Sequence, residues 1–392
     1  MDICLHTIWD IQHDFIGGTE RFLVELSKEL NLLGHNSFIV CTGDNTKKEI
    51  QGVPVYGFIP CDYKKSYSKY GEAKLSYLRE NFVQGKSYIE GLKSLAKYTQ
   101  NQVSQIPHDV IHLNSFPSSV FFSSTAPVVV TNHENEAESD SLWGKGFFDE
   151  LVSLTNSNSS TFRDHFAHVV PSQYYADNYS ERFRTNILGI NQGVNLSTFR
   201  PYKKTSGQYK CEPINLLLPS RVDPHQKGHD IAVRACKILL DQGIDFKLTL
   251  TGVRNDNKAS VKEVSKMARE IGVADKVVFQ SYADINTAYK EADIVISPER
   301  YCSYGLSISE ALSLGIPTVL SAIPTYIEIA KSYKHAHFFS TGSSENLAQT
   351  IIEILPTLKS KSNYSEQIRF RKKYDFRECA KKYSEIYLRA VS

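Results

Sequence analysis

Four short segments hold the residues whose types and spacing could do chemistry. The first is Ser220-Arg-Val-Asp-Pro-His-Gln-Lys-Gly228, directly after the apolar run Ile214-Asn-Leu-Leu-Leu218. Arg221 offers a rigid fork of donors and Lys227, six residues on, a mobile point charge. Together they suit a diphosphate, although two solvated cations on a loop is the plainer alternative. In the second, Ser297 to Pro317, an apolar strand is followed by a glycine-containing loop and then a helix expected from about Leu306 to Leu314. Free amides at that helix start would receive phosphate oxygens. Glu310, one turn inside, could accept two hydrogen bonds from a ribose diol, or be an ordinary acid favoured by the helix dipole.

The third segment, Pro127-Val-Val-Val-Thr-Asn-His133, sets a histidine at the end of a buried strand, where one ring nitrogen could meet a sugar hydroxyl or a developing charge. A structural histidine is the competing reading. Glu134, Glu136 and Glu138 follow it and read as an alternating acid run facing solvent. The fourth is Gly17-Gly-Thr-Glu-Arg21, where two glycines before a helix permit backbone approach to a ligand or simply make a turn. It lacks the full G-x-G-x-x-G dinucleotide pattern. No Asp-x-Asp element, metal-spaced histidine cluster or G-x-S-x-G elbow is present, so a metal site and a serine triad are not expected.

Parallel strands and crossover helices must position these segments. Continuous apolar runs at Val128–Thr131, Val169–Val170, Ile214–Leu218, Leu248–Thr251, Val277–Phe279, Ile294–Ile296 and Thr318–Leu320 suit strands buried on both faces. Helical patterns such as Thr19 to Leu33 and His229 to Leu240 separate them, which means α/β architecture. The polar, proline-containing stretch Phe199 to Pro213 reads as a linker. The expected division is a first domain over 1–200, a second over 201–375 and a C-terminal helix over 376–392 packing back toward the first. Between Cys61 and Gln100 lie eight Lys or Arg against four acids, with six tyrosines. That stretch reads as solvated helices, or as an acceptor-side or membrane-surface element.

Composition narrows the classes. The 392 residues carry 45 Lys and Arg against 43 Asp and Glu, a net charge of +2, so a nucleic-acid partner is not expected. Seven cysteines without a CxxC pair argue against a disulfide framework and for a reducing compartment. The first residues lack a signal-peptide pattern, and no run of 18 apolar residues exists. The expected location is cytoplasmic, extending to peripheral contact with the inner face of the membrane.

Taken in order, these segments resemble the family 4 retaining glycosyltransferases of the GT-B fold over nearly the whole chain. Gly17-Gly-Thr-Glu-Arg-Phe-Leu-Val-Glu-Leu26 with Leu33-Gly-His35 is similar to the family's first loop and helix. Asp109-Val-Ile-His112 and Thr131-Asn-His133 are similar to its strand ends, and Asn191 to Pro201 to the turn closing its first domain. Arg221 with Lys227-Gly228 resembles its diphosphate pair, and Tyr304-Gly-Leu306 with Glu310 to Pro317 its donor-binding helix. Two departures stand out. The family's Glu-x7-Glu has only its second acid here, Glu310, while Cys302 stands at the first and Glu299 lies three residues too early. Ile323-Pro324-Thr325 replaces a glycine-rich turn.

The resemblance implies two Rossmann-like parallel-sheet domains facing a central cleft. It further implies metal-independent transfer of a hexose or N-acetylhexosamine from a nucleoside diphosphate sugar to a carbohydrate or glycolipid hydroxyl, with configuration retained and no cofactor. A UDP-sugar is favoured over a GDP-sugar as donor. His133, Arg221 and Lys227 would be catalytic. Gly17, Gly18, Arg221, Lys227, Cys302, Tyr304, Gly305, Leu306 and Glu310 would bind the donor. Bacterial surface polysaccharide, lipopolysaccharide or glycolipid synthesis is the expected setting. A soluble small-molecule acceptor, a sugar-nucleotide epimerase and an inactive partner subunit are the alternatives.

Overall fold

The computed structural model describes residues 1–9, 11, 17–43, 45–58, 88–201, 213–254, 257–281, 285–358 and 364–392. Most of the tyrosine- and lysine-rich stretch and most of the expected linker lie outside them. The chain forms two compact domains, one from Met1–Gln192 with Phe376–Ser392, the other from Gly193–Asp375.

The first domain is built on an eight-stranded sheet in the order β3-β4-β2-β1-β5-β6-β7-β8. Its strands are β1 (Asp2–Thr7), β2 (Asn36–Thr42), β3 (Lys47–Ile50), β4 (Val53–Phe58), β5 (Val110–Leu113), β6 (Val128–Thr131), β7 (Ala167–Val170) and β8 (Ile187–Gly189). Every pairing is parallel except β3 with β4. Alternate residues of one strand enter opposite cores: Ile3 and Leu5 join one apolar cluster, Cys4 the other. Val129 joins the first, Val128 and Val130 the second. Two-faced burial is why these strands read as unbroken apolar runs rather than alternating ones.

Phe376–Val391 is a helix of this first domain. Phe376, Cys379, Ala380, Tyr383, Ile386 and Tyr387, at helical spacing, enter the same core as Phe22 and Leu26 of the helix Gly18–Leu32. Polar bonds fix its register: Tyr387 OH to His112 Nδ1 at 2.6 Å, Tyr383 OH to Thr131 Oγ1 at 3.0 Å, and His35 Nε2 to Ser384 Oγ at 2.7 Å. Both tryptophans of the chain, Trp9 and Trp143, belong to this domain, their rings 6.4 Å apart.

The second domain has a six-stranded, all-parallel sheet in the order β11-β10-β9-β12-β13-β14. Its strands are β9 (Ile214–Leu218), β10 (Phe246–Val253), β11 (Val277–Ser281), β12 (Ile294–Ser297), β13 (Thr318–Ser321) and β14 (Ala336–Phe339). Numbered from β9, the order is 3-2-1-4-5-6, the doubly wound arrangement of dinucleotide-binding sheets. Leu216 and Leu218 face the core beneath helices His229–Asp241 and Ser344–Ile354, whereas Leu217 faces the core holding Ile308 and Tyr326.

The chain joins the second domain at Gly193, earlier than the boundary expected at 200. The polar segment before the linker is tied to this domain's last turns. Val194 N–H donates to Tyr374 O at 2.7 Å, and Arg371 donates to the carbonyls of Leu196 and Phe199. Phe199 packs edge-on against Tyr289. These anchors outweigh the polar composition that suggested a break further on.

Candidate functional site

In the second domain the sheet order reverses direction between β9 and β12, which pair at Ile294–Leu216 and Val295–Leu217. Loops leaving the carboxyl ends of two such strands diverge and open a crevice where ligands bind in sheets of this kind. The loop after β9 carries Arg221 and Lys227; the loop after β12 carries Glu299, Arg300 and Cys302.

The β9 loop is built around Asp223. Its Oδ1 accepts the backbone N–H groups of His225 and Gln226 at 3.0 and 2.9 Å, and its Oδ2 accepts from Arg221 at 3.2 Å. Burial pushes this carboxyl up, but those hydrogen bonds and the Arg221 charge outweigh it and hold the carboxyl below its usual range. Arg221 also reaches Gln226 Oε1 at 3.3 Å. Gly252, at φ +85°, lets β10 pass the loop, since a Cβ there would lie 2.5 Å from Ser220 O. Behind the loop His229 is fully buried, its ring nitrogen Nδ1 3.0 Å from Asp223 O, and burial lowers it to about 4, so it is neutral near pH 7.

The two loops meet at Lys227, whose Nζ donates to Glu299 Oε2 at 2.8 Å. Next to it Gly228 has φ +69°, and a Cβ there would lie 2.0 Å from Pro298 O. The glycine is therefore required twice over, by its left-handed backbone and by the approach of the β12 loop.

The helix Leu306–Ser313 starts at Gly305, where a Cβ would fall 2.7 Å from Tyr326 Cε1. Leu306 packs partly buried against the same core. Glu310 is buried inside this helix and its Oε2 accepts from Tyr289 OH at 2.8 Å. Cys302 and Tyr304 are also buried in that apolar core. The Cys302 thiol donates to the Tyr304 carbonyl, and the Cys302 carbonyl accepts from Thr325 Oγ1 at 3.0 Å. Ile323-Pro324-Thr325 opens the short helix Pro324–Ala330, which turns Tyr326 inward to meet Ser297 Oγ at 2.9 Å.

In the first domain the corresponding reversal lies between β1 and β5, and His133 stands just after β6, the next strand along. Its Nε2 pairs with Asn114 Oδ1 at 2.8 Å and its Nδ1 with Gln192 Nε2 at 3.0 Å. An amide NH2 only donates and an amide oxygen only accepts, so these partners assign the proton to Nε2. Burial lowers this imidazole to about 3. The ring meets Phe22 edge-on at 5.0 Å, which brings it beside the helix that begins at Gly18. Gly17 caps that helix, with the Glu20 carboxylate close above it.

The acids after His133 are not the solvated run expected. Glu134 accepts from Trp143 Nε1 at 3.3 Å and is driven up to about 7, by burial first and then by the Glu138 charge. Glu138 closes a capping box with Asn135, and Glu136 pairs with Arg182. Only Glu136 of the three is exposed.

Two family models divide the chain between them: Glycosyltransferase Family 4 matches residues 16–198, and Glycosyl transferases group 1 matches residues 204–371. The chain belongs to the family 4 glycosyltransferases. A probable sucrose-phosphate synthase of Thermosipho melanesiensis is 24% identical over 218 residues, covering 54% of this chain and 49% of that protein. The chain thus spans about half the length of that curated relative. Among solved structures, sucrose-phosphate synthase from Thermosynechococcus elongatus matches at TM-score 0.76 and 16% identity over 100% of both chains. Anabaena HepE in complex with UDP and glucose matches at TM-score 0.69 and 16% identity over 98% of both. The fold is that of the GT-B glycosyltransferases, with two parallel-sheet α/β domains.

Several residues that hold the candidate groups in place, in both domains, carry no sequence signal of their own. Tyr289, which holds Glu310, sits in a short helix with no motif around it. Arg300 lies next to Glu299 in sequence, yet its acceptors lie in the β9 loop and the helix behind it. Asn114 and Gln192, the partners of His133, are 19 and 59 residues from it. Among the described residues no cluster of His, Cys, Asp and Glu has metal-site geometry, and no helix is long and apolar enough to cross a membrane. The five described cysteines, Cys4, Cys41, Cys236, Cys302 and Cys379, are buried free thiols.

Proposed function

We propose that this chain transfers a hexose or N-acetylhexosamine from a nucleoside diphosphate sugar to an acceptor hydroxyl with retained configuration. The carrying observation is the cationic loop with Arg221 and Lys227 at the strand-order reversal of the second domain. A leaving nucleoside diphosphate gains negative charge as the glycosidic bond breaks. Arg221 and Lys227 would neutralise it without a metal ion. The amides that begin the helix Leu306–Ser313 add to the same field. Glu310 would accept a ribose hydroxyl while Tyr289 holds one of its oxygens. In this mechanism a donor phosphate oxygen takes the acceptor proton, so no enzymic base is required. His133, neutral near pH 7, is unsuited to act as a base, and it would meet a sugar hydroxyl by exchanging one of its two partners, Asn114 or Gln192. Gly17 and Gly18 would admit a ligand close to the backbone.

A UDP-sugar is the favoured donor, consistent with the UDP bound by the Anabaena structure of the same fold. We assign the acceptor to the first domain and the setting to surface polysaccharide, lipopolysaccharide or glycolipid synthesis on the cytoplasmic side of the membrane. A small soluble acceptor is the second reading, favoured by the name of the Thermosipho relative, a probable sucrose-phosphate synthase.

Calorimetric titration with UDP and with GDP, each with and without Mg²⁺, tests the donor site. Metal-independent binding of one nucleotide, lost in Lys227→Ala, is expected. With the matching donor sugar, Lys227→Ala and Arg221→Ala should each lower transfer by roughly two orders of magnitude or more, the scale of one lost transition-state donor. Near-normal turnover in either variant would remove the diphosphate assignment.

A further inference from the structure

Glu299 and Arg300 are consecutive on the β12 loop, and both act on the β9 loop that carries Arg221 and Lys227. The Arg300 guanidinium donates to Pro224 O at 3.0 Å, His225 O at 2.9 Å, and Asp230 Oδ1 and Oδ2 at 2.9 and 2.6 Å. Its backbone N–H donates to Gln226 O at 3.0 Å. One residue thus ties down three consecutive loop positions and the first turn of the helix His229–Asp241. Only a planar fork meets carbonyls and a bidentate carboxylate together, which an ammonium cannot do.

Glu299 acts on the side chain instead. Its own side chain is 3% exposed and that of Lys227 18%. Lys227 is thus the more exposed member of the pair, and Glu299 is almost wholly buried. Tyr326, bonded to Ser297, is held protonated by burial first and by the Glu299 charge second. A buried carboxylate facing one ammonium fixes where that ammonium stands and lowers the net charge an incoming anion meets.

We propose that Glu299 and Arg300 form a positioning brace for the diphosphate site: Arg300 fixes the β9 loop, and Glu299 holds the Lys227 ammonium in place while moderating its charge. The brace rests on the nucleoside diphosphate reading above and adds two residues to it. It also explains how an acid three residues ahead of the family position can serve this site without occupying that position.

The test is titration of the full chain with UDP and GDP over a series of salt concentrations, with thermal melting recorded for each variant. Arg300→Ala should weaken binding about tenfold or more. Arg300→Lys should recover little, because charge without the fork does not hold the loop. Glu299→Gln keeps an oxygen for Lys227 but removes the negative charge, so binding should tighten severalfold and depend more steeply on salt. Lys227→Ala leaves the buried Glu299 carboxylate without its cation and should melt lower than the wild type. Adding Glu299→Gln to it should restore melting but not binding, which separates fold from function. Arg300→Ala binding within twofold of wild type, or Glu299→Gln with unchanged affinity and salt slope, would overturn the brace while leaving the nucleotide site intact. Failure of the wild type to bind either nucleotide, or ADP and dTDP tried next, would instead remove the nucleotide reading, and the brace with it.

Discussion

At Gly228 the backbone stands at φ +69° with the Pro298 carbonyl where a Cβ would be. Alanine there meets both a left-handed backbone and a steric block, so Gly228→Ala should cost about 2 kcal/mol or more. Urea denaturation would measure that loss, and nucleotide titration should show binding weakened with it. Unchanged stability would mean that the β12 loop is free to withdraw. Cys302 supports the opposite expectation. It is packed among apolar side chains with its thiol on the Tyr304 carbonyl, so Cys302→Ala should cost about 1 kcal/mol and leave nucleotide binding in place. Loss of transfer with nucleotide binding intact would show instead that the thiol is needed at the sugar. Arg221, Lys227 and Glu310 were legible as candidates because a short motif carries each. The partners that set their behaviour were not: Glu299 lies 72 residues from Lys227, and Tyr289 21 residues from Glu310. Local spacing holds no information about a neighbour supplied by another strand. Glu134 is a different case: its partner Trp143 is nine residues on, at the end of the next helix, and the burial there depends on how that helix packs rather than on spacing.

Among the elements, the central parallel strands were the most legible, because burial on both faces leaves runs such as Ile214–Leu218 unbroken. The edge strands were less so. In β3 and β4 residues alternate between more and less buried positions, and β14 is mostly half-buried, so their apolar signal is diluted. The helix Phe376–Val391 shows its period in sequence, whereas its polar anchors appear only in three dimensions. Tyr387→Phe would remove the partner of His112 Nδ1 and leave that nitrogen buried. A cost of roughly 1–3 kcal/mol is expected, the penalty for orphaning a buried polar atom. Urea denaturation followed by tryptophan fluorescence would measure it, since both tryptophans lie in this domain. A midpoint equal to that of the wild type would mean that His112 finds another partner.

On the scale of the molecule, buried histidines are unevenly distributed. The first domain holds His6 lowered to about 4 and His112, His133 and His168 each lowered to about 3, burial being the leading cause throughout. The second holds His229, lowered to about 4, with His335 and His337 lowered less. Each such histidine is neutral in the folded state and protonated in the unfolded state at pH values between its folded pKa and about 6.5. Its contribution is complete above pH 6.5 and is lost as pH falls through that window, by up to about 1.4 kcal/mol per pH unit. Glu134 works the other way: raised to about 7, it favours the folded state below its unfolded value and loses that contribution as pH rises through 7. The first domain should therefore unfold at higher pH than the second on acidification. Tryptophan fluorescence, which reports only the first domain, should change before the far-ultraviolet circular dichroism has fallen fully. Coincident transitions would show the two domains unfolding as one.

The passage of the last helix into the first domain's core has a consequence for how the protein is made. Residues 193–375 leave the ribosome complete, whereas residues 1–192 wait for Phe376, Tyr383 and Tyr387 to fill their core. At roughly 5–20 residues per second, that wait lasts on the order of 10 s or longer. The usual N-to-C order is thus inverted between these two domains: the second is complete first, and the one whose synthesis began earlier closes after it.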